Sequence, residues 1–250
     1  MELFYVSLVG AFAQLSDGTL GFGFGIISSS MLVIIGTSAL SASATIHFAE
    51  LGTTFVSGLS HWRYKNIDSR FFLQLAIPGG VGAFLGATLL SNIYLPLGNI
   101  ILSTILIFLG VSILLRPIFK SVLKVKNTVE IYPNKMRFLG LIGGLLDSVG
   151  GGGWGAVVSP VLIGTTRIDP RKIIGTVSAS EFVVAVSASF GFILNFSKLE
   201  LDLGLVLALS LGGIVVAPFA AKIVSVISKK WLTIFIGLGV ILINLFKGLT

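Results

Sequence analysis

The sequence predicts an all-α polytopic membrane protein built from two inverted repeats, each a glycine-broken re-entrant hairpin followed by three transmembrane helices. Three observations carry this expectation. First, 54% of the 250 residues are hydrophobic and only 11% are charged, with a mean hydropathy of +1.03. A soluble domain keeps about 25% charged residues because its surface must face water, so the outside of this fold must face lipid. Second, several uncharged apolar runs are long enough to cross roughly 30 Å of hydrocarbon. Third, Asp17-x-x-x-Gly21-x-Gly23-x-Gly25 recurs as Asp147-x-x-x-Gly151-x-Gly153-x-Gly155 at a shift of 130.

Along the chain, residues 3–36 form a first apolar stretch, broken by Asp17-Gly18 and by glycines 21, 23 and 25. Apolar runs at 43–59, 71–90 and 98–115 read as helices. A polar, basic linker at 116–137 contains Pro117 and Pro133 and divides a first repeat (1–115) from a second (138–250). The second repeat opens with another broken stretch, 138–165, interrupted by Asp147 and by Gly150-Gly151-Gly152-Gly153. Three further helices are expected at 172–195, 203–227 and 231–249. His47-Phe48 falls opposite Glu181-Phe182 at a shift of 134, and Gly79-Gly80 opposite Gly212-Gly213 at 133. Small drifts of this kind are what duplication and divergence leave.

Charge orients the halves. Fifteen of the seventeen basic residues fall in 61–70, 116–137, 165–172 and 222–230, while the connections at 37–42 and 91–97 carry none. By the positive-inside rule the first group is cytoplasmic. Since 116–137 and 165–172 then share a side, the stretch between them must enter the membrane and return, as two arms of roughly 13 residues, because about 20 are needed to span. By homology the first broken stretch enters from the opposite face, which gives inverted repeats whose hairpin tips meet near the midplane. A plain eight-helix topology, with each broken stretch crossing once, is the alternative. Either way the expectation is a multi-pass protein of the cell (plasma) membrane. Met1-Glu2-Leu3-Phe4 lacks the basic region of a secretory signal, so no cleavage is expected.

Unwound backbone survives in hydrocarbon only where it lines a cavity or is buried in protein. A helix starting just after each glycine run would aim free N–H groups at the turn, an end that suits an anion. Gly21, Gly23, Gly25, Gly151, Gly152 and Gly153 are therefore candidate substrate-binding positions. Trp154 joins them, with an indole N–H that either meets a ligand or packs. The scattered Gly110, Gly140, Gly237 and Gly239 read as close helix packing. Ionisable groups inside helices are expensive and point to function: His47, Glu50 and Glu181 are candidates for ion coupling. His47, Glu50 and Thr54 share one face, as do Ser178 and Glu181. Asp17 and Asp147 are expected to cap or brace the hairpin turns, since a carboxylate repels an anion.

Other classes fall away. Cysteine is absent, which removes disulfides, thiolate metal sites and a cysteine nucleophile. Neither a paired-histidine metal motif nor a Walker lysine occurs, and the glycine runs lack the strand–turn–helix setting of a dinucleotide fingerprint, so no cofactor or metal is expected. The net charge of +7 sits in short loops and implies no nucleic-acid partner. The expected partners are a small anionic substrate and the lipid bilayer, and a homo-oligomer is left open. A secondary transporter or a passive anion channel remains; an intramembrane enzyme lacks a nucleophile–base pair.

Taken together, the repeated aspartate–glycine pattern, Ala42-Ser43-Ala44-Thr45, Thr176-Val177-Ser178-Ala179-Ser180 and Pro78-Gly79-Gly80-Val81-Gly82-Ala83-Phe84-Leu85-Gly86-Ala87 resemble the TauE/SafE sulfite-exporter family over nearly the whole chain. The resemblance implies transport of sulfite, thiosulfate, sulfonates or related organic anions, coupled to an ion gradient. It adds Ser43, Thr45, Ser178 and Ser180, in the turns after each glycine cluster, to the substrate-binding candidates. His47 and Glu181 fill a corresponding slot with different chemistry.

Overall fold

The computed structural model describes residues 2–21, 24–93, 133–166, 168–195 and 199–227. The helices expected at 98–115 and 231–249, Gly23 and most of the linker 116–137 lie outside the described residues. Eight helices make up the described residues: α1 (Glu2–Leu20), α2 (Phe24–Ile34), α3 (Ala39–Arg63), α4 (Ser69–Asn92), α5 (Pro133–Gly150), α6 (Trp154–Thr165), α7 (Pro170–Ile193) and α8 (Leu203–Val226). The sequence of long arm, break, short arm and two long helices therefore occurs twice. Three helices (α4, α7 and α8) are long and apolar enough to cross a membrane. α3 is as long, but its serines, threonines, histidines and glutamate make it polar, because it lies in the protein interior.

Short polar caps start the long helices where their first N–H groups need acceptors. Ser38 Oγ accepts from the Ser41 N–H at 3.3 Å and Asp68 Oδ1 from Arg70 at 3.0 Å. Asp169 Oδ1 accepts from Arg171 at 3.2 Å, with Pro170 pre-set at the first helical position. Asp202 Oδ1 accepts from Gly204 at 2.7 Å and Leu205 at 3.2 Å. These caps start α3 at residue 39 and α7 at 170, ahead of the starts read from apolar runs.

The broken stretches differ from expectation in one respect. Asp17-Gly18 and Asp147 do not interrupt their helices; α1 and α5 continue through them to Leu20 and Gly150. The arms are accordingly unequal, 19 and 11 residues in the first pair and 18 and 12 in the second, rather than roughly 13 each. Among the described residues of the two breaks, the chain turns where glycine permits positive φ, at Gly21 (74°), Gly151 (62°) and Gly152 (117°).

Packing repeats across the halves as well. α4 and α5 run parallel with level starts, since Gly140 meets Leu75 and Gly144 meets Gly79 backbone to backbone. α1 and α8 run parallel in the same way, through Gly10 with Leu209 and Gln14 with Gly213. α3 packs on α8 and α7 on α4, and α3 packs on α7. Small residues let these helices approach closely, as in membrane bundles.

The loops sort to two ends. At one end, Lys172 Nζ donates to the carbonyls of Lys65 and Ile67 at 2.6 and 2.9 Å, and Asn66 Nδ2 donates to the Ala221 carbonyl at 3.1 Å. At the opposite end of α3, Thr37, Ser38 and Ser41 line one cavity with Glu200 and Asp202, and Leu3 lies beside Gly204. α1 therefore starts, and α2 finishes, at the Glu200 end. α5 starts, and α6 leads back, at the Lys65 end.

The surface is apolar, and polar side chains are buried inside beside an apolar core. Leu73, Ile77, Val81, Leu85 and Leu89 form an exposed stripe along α4, and Leu203, Leu207, Leu211, Val215 and Phe219 another along α8, each at a spacing of four. Serines, threonines, aspartates, glutamates and histidines are buried instead. Water would punish that arrangement; lipid favours it.

Candidate functional site

Polar chemistry converges where the two breaks touch. A Cβ on Gly25 would overlap the Gly152 backbone, and one on Gly155 would overlap the Gly21 carbonyl, so two unwound turns lie directly against each other. Around them, α3 and α7 run antiparallel, in contact from His47–Phe192 through Phe55–Phe182 to Ser57–Ser178, and Glu50 is the twelfth of 25 residues in α3, Glu181 the twelfth of 24 in α7. α1 and α5 bring Asp17 and Asp147 from just before each break. Asp17, Glu50, Asp147 and Glu181 are all at most 4% exposed, and His47 is fully buried among them. The described lysines and arginines all sit in loops or near helix ends, so none of them balances this group.

Asp147 holds the second break together. Gly153, the N-cap residue of α6, has no side chain to accept from the helix start. Asp147 reaches across the turn instead, and its Oδ1 accepts from the N–H of Gly153 at 2.6 Å and of Trp154 at 2.8 Å. Its Oδ2 meets His47 Nε2 at 3.1 Å. The other ring nitrogen, Nδ1, faces the Ser43 carbonyl at 2.7 Å. Both nitrogens thus address oxygen acceptors, and both bonds form together only when the His47–Asp147 pair carries a proton beyond those of a neutral imidazole and a carboxylate. Ser43 Oγ ties α3 to the same turn by donating to the Ser148 carbonyl at 2.6 Å.

In the first half, the Asp17 carbonyl accepts from Gly21 N–H at 2.7 Å, which closes the end of α1. The Asp17 carboxyl lies beside Gly155 and within reach of that of Glu181. Ser178 and Ser57 share a 2.7 Å hydrogen bond between α7 and α3, and Thr54 Oγ1 donates to the Glu50 carbonyl.

The remaining candidates are placed as follows. Trp154 is fully buried, its ring filling the space left by Gly79 and Gly143, and its indole N–H donates to the Val177 carbonyl at 3.0 Å. That donor is therefore engaged with backbone in this structure. Ser180 Oγ donates to the same carbonyl at 2.8 Å. Thr45 lies apart from the breaks, lining the cavity with Glu200 and Asp202. Gly23 lies outside the described residues. His47, Glu50 and Asp147 each place one donor atom within 4.8 Å of the others, close enough to share a small cation. Local motifs could not reveal this trio, because Asp147 stands 100 residues from His47.

Sequence reasoning missed Gln14 and Ser57, which approach Gly18 beside Asp17. It also kept the aspartates apart from the coupling candidates. The repeat alignment carried the missing signal: Asp17 corresponds to Asp147 and Glu181 to His47, so a contact in one half implies its counterpart in the other.

Comparison with known proteins agrees with this architecture. Residues 6–246 match the family described as Sulfite exporter TauE/SafE. The chain is similar to a "Probable membrane transporter protein YtnM" of Bacillus subtilis (strain 168), with 38% identity over 245 residues, 97% of this chain and 81% of that relative. No solved structure matches. A family match over nearly the whole length, joined to a lipid-facing exterior around a polar core, identifies a membrane transporter: the chain belongs to the TauE/SafE sulfite exporter family.

Proposed function

We propose that this chain is a secondary transporter of the cell membrane that moves a small anion, such as sulfite, thiosulfate, a sulfonate or a related organic acid, using an ion gradient and performing no covalent chemistry. The observation that carries this reading is the Asp147 carboxylate seated on the first N–H groups of α6. Those amides already hold an oxyanion, at the end of a helix whose dipole favours one. A substrate oxyanion offers the same kind of negatively charged acceptor oxygens as the carboxylate it would displace.

The two-ended arrangement of the arms supports inverted repeats. α1–α2 leaves and rejoins the Glu200 end, and α5–α6 the Lys65 end, where the basic loops gather. Re-entrant arms meeting tip to tip from opposite faces suit alternating access, one repeat rocking on the other around a shared site. The polar interior gives that site its walls, and the close glycine contact gives it a surface that can part.

The test is flux. Purified protein in liposomes is expected to carry sulfite or thiosulfate across the bilayer at rates absent from protein-free vesicles, saturating with concentration. Absence of flux for every anion of this set, under every imposed gradient, overturns the proposal.

A further inference from the structure

Given the transport proposed above, we infer that the carboxyls of Asp17 and Glu181 form a proton-binding pair, and that the proton they share is the ion whose gradient drives the anion.

The case starts from a contact the duplication has made twice. Aligning the halves sets Asp17 against Asp147 and Glu181 against His47. In space, Asp147 of the second half meets His47 of the first at 3.1 Å, and Asp17 of the first half meets Glu181 of the second. These are one interaction, repeated with the halves exchanged. Where the slot holds histidine, a ring nitrogen supplies the hydrogen of the bond. Where it holds glutamate, no hydrogen is built in. Two carboxylates present four acceptor oxygens and no donor, so they bond only while one of them carries a proton.

Burial makes that proton necessary. Asp17 Oδ2 and Glu181 Oε2 are both shut off from solvent and find no N–H or O–H donor among the described residues. Glu50 Oε2, on the facing helix, is equally without a donor. An unpaired buried carboxylate is far costlier than a neutral carboxyl in the same place. Side by side, two like charges raise that cost further.

Among the described residues the surroundings offer no other neutralising group. α1 contributes Asp17, α3 contributes His47, Glu50 and His61, α5 contributes Asp147 and α7 contributes Glu181. His47 is committed to Asp147, and His61 lies against the backbone of Gly18. The described parts of α2, α6 and α8 place no charged group beside the pair. A proton is the cation that two neighbouring carboxyls can share without a further ligand.

This arrangement couples the two ions by charge. When an anion enters beside four carboxyls, the nearest acids must be neutral; when the proton leaves Glu181–Asp17, the restored negative charge expels the anion. Net movement of one requires movement of the other.

The experiment uses the full protein in liposomes that contain a pH-sensitive dye, with thiosulfate as the probe anion and an anion-selective assay run in parallel. The parent is expected to acidify the lumen as the anion enters. In Glu181→Gln the side-chain amide donates permanently to Asp17, so the contact survives without an exchangeable proton. This variant is expected to lose most proton movement per anion and to flatten the pH profile of flux, with Asp17→Asn behaving alike. A parent that moves anion without protons overturns the inference and leaves the transport reading intact, whereas a parent that moves no anion at all overturns the transport reading itself. Variants that keep the parental proton-to-anion ratio also overturn the pair. Should both variants fail to fold, infrared difference spectra of the parent with and without thiosulfate decide: a protonated-carboxyl band that changes on binding supports the pair, and a spectrum without one removes it.

Discussion

At the residue scale, Asp147 does two jobs with one carboxylate. Oδ1 completes the start of α6 and Oδ2 holds His47. Bonds from backbone N–H to a carboxylate are among the stronger kinds, at about 1.5–3 kcal/mol each. Asp147→Ala would strand two amide donors and a buried imidazole together, and breaking a buried pair from one side costs about 3–5 kcal/mol. Asp147→Asn keeps an oxygen for the amides and gives up only the charge, so its loss should fall nearer a single charged bond. Thermal unfolding in detergent is expected to rank the midpoints parent, then Asn, then Ala. Equal midpoints for Asn and Ala would mean that the cap on α6 contributes nothing and that only the His47 contact matters.

At the element scale, glycine does different work in different places, and the break separates the cases. Gly152 has φ of 117°, in the region that L side chains avoid, and its Cα side faces Gly25 with no room between. Gly153, next along, is extended at φ of −172°, which any residue adopts. Adding a methyl at Gly152 therefore combines a backbone penalty of roughly 1–2 kcal/mol with a steric overlap against backbone that cannot yield. Gly152→Ala is expected to lower the unfolding midpoint and membrane yield clearly more than Gly153→Ala. The reverse order would show that the two breaks do not pack as described. The same distinction explains what the sequence made legible. Apolar runs located α4, α7 and α8 to within a few residues, because each is apolar over a membrane-spanning length. Glycine runs located the breaks, because only glycine turns there. The aspartates read as breakers, yet they sit inside the final helical turns, since each carboxyl acts beyond the turn and not at its own position. The Asp17–Glu181 and His47–Asp147 contacts stayed hidden in a linear reading, because each joins helices from opposite halves and no local spacing records it.

At the scale of the whole molecule, the arrangement of ends turns charge into topology. Loop 64–68, the start of α7 and the end of α8 are tied to each other by Lys172 and Asn66. α5 begins level with α4, at that same end, although 116–132 lies outside the described residues. Basic residues crowd these segments, and the opposite end carries Glu200 and Asp202. By the positive-inside rule the start of α5 and the α6–α7 connection are expected in the cytoplasm together, with Glu200 outside. For an 18-residue arm this is the decisive point: α5 is about 27 Å long, nearly enough to cross, and only a return of α6 to the same face would make the pair re-entrant. The chain contains no cysteine, so single cysteines can report sidedness against a blank background. Asn134→Cys and Thr166→Cys are expected to resist a membrane-impermeant thiol reagent on intact cells and to react once the cells are opened, whereas Glu200→Cys should react from outside. If Asn134→Cys and Thr166→Cys label from opposite faces, α5–α6 crosses the bilayer once, the two breaks no longer enter from opposite sides, and a shared central site loses its geometric basis.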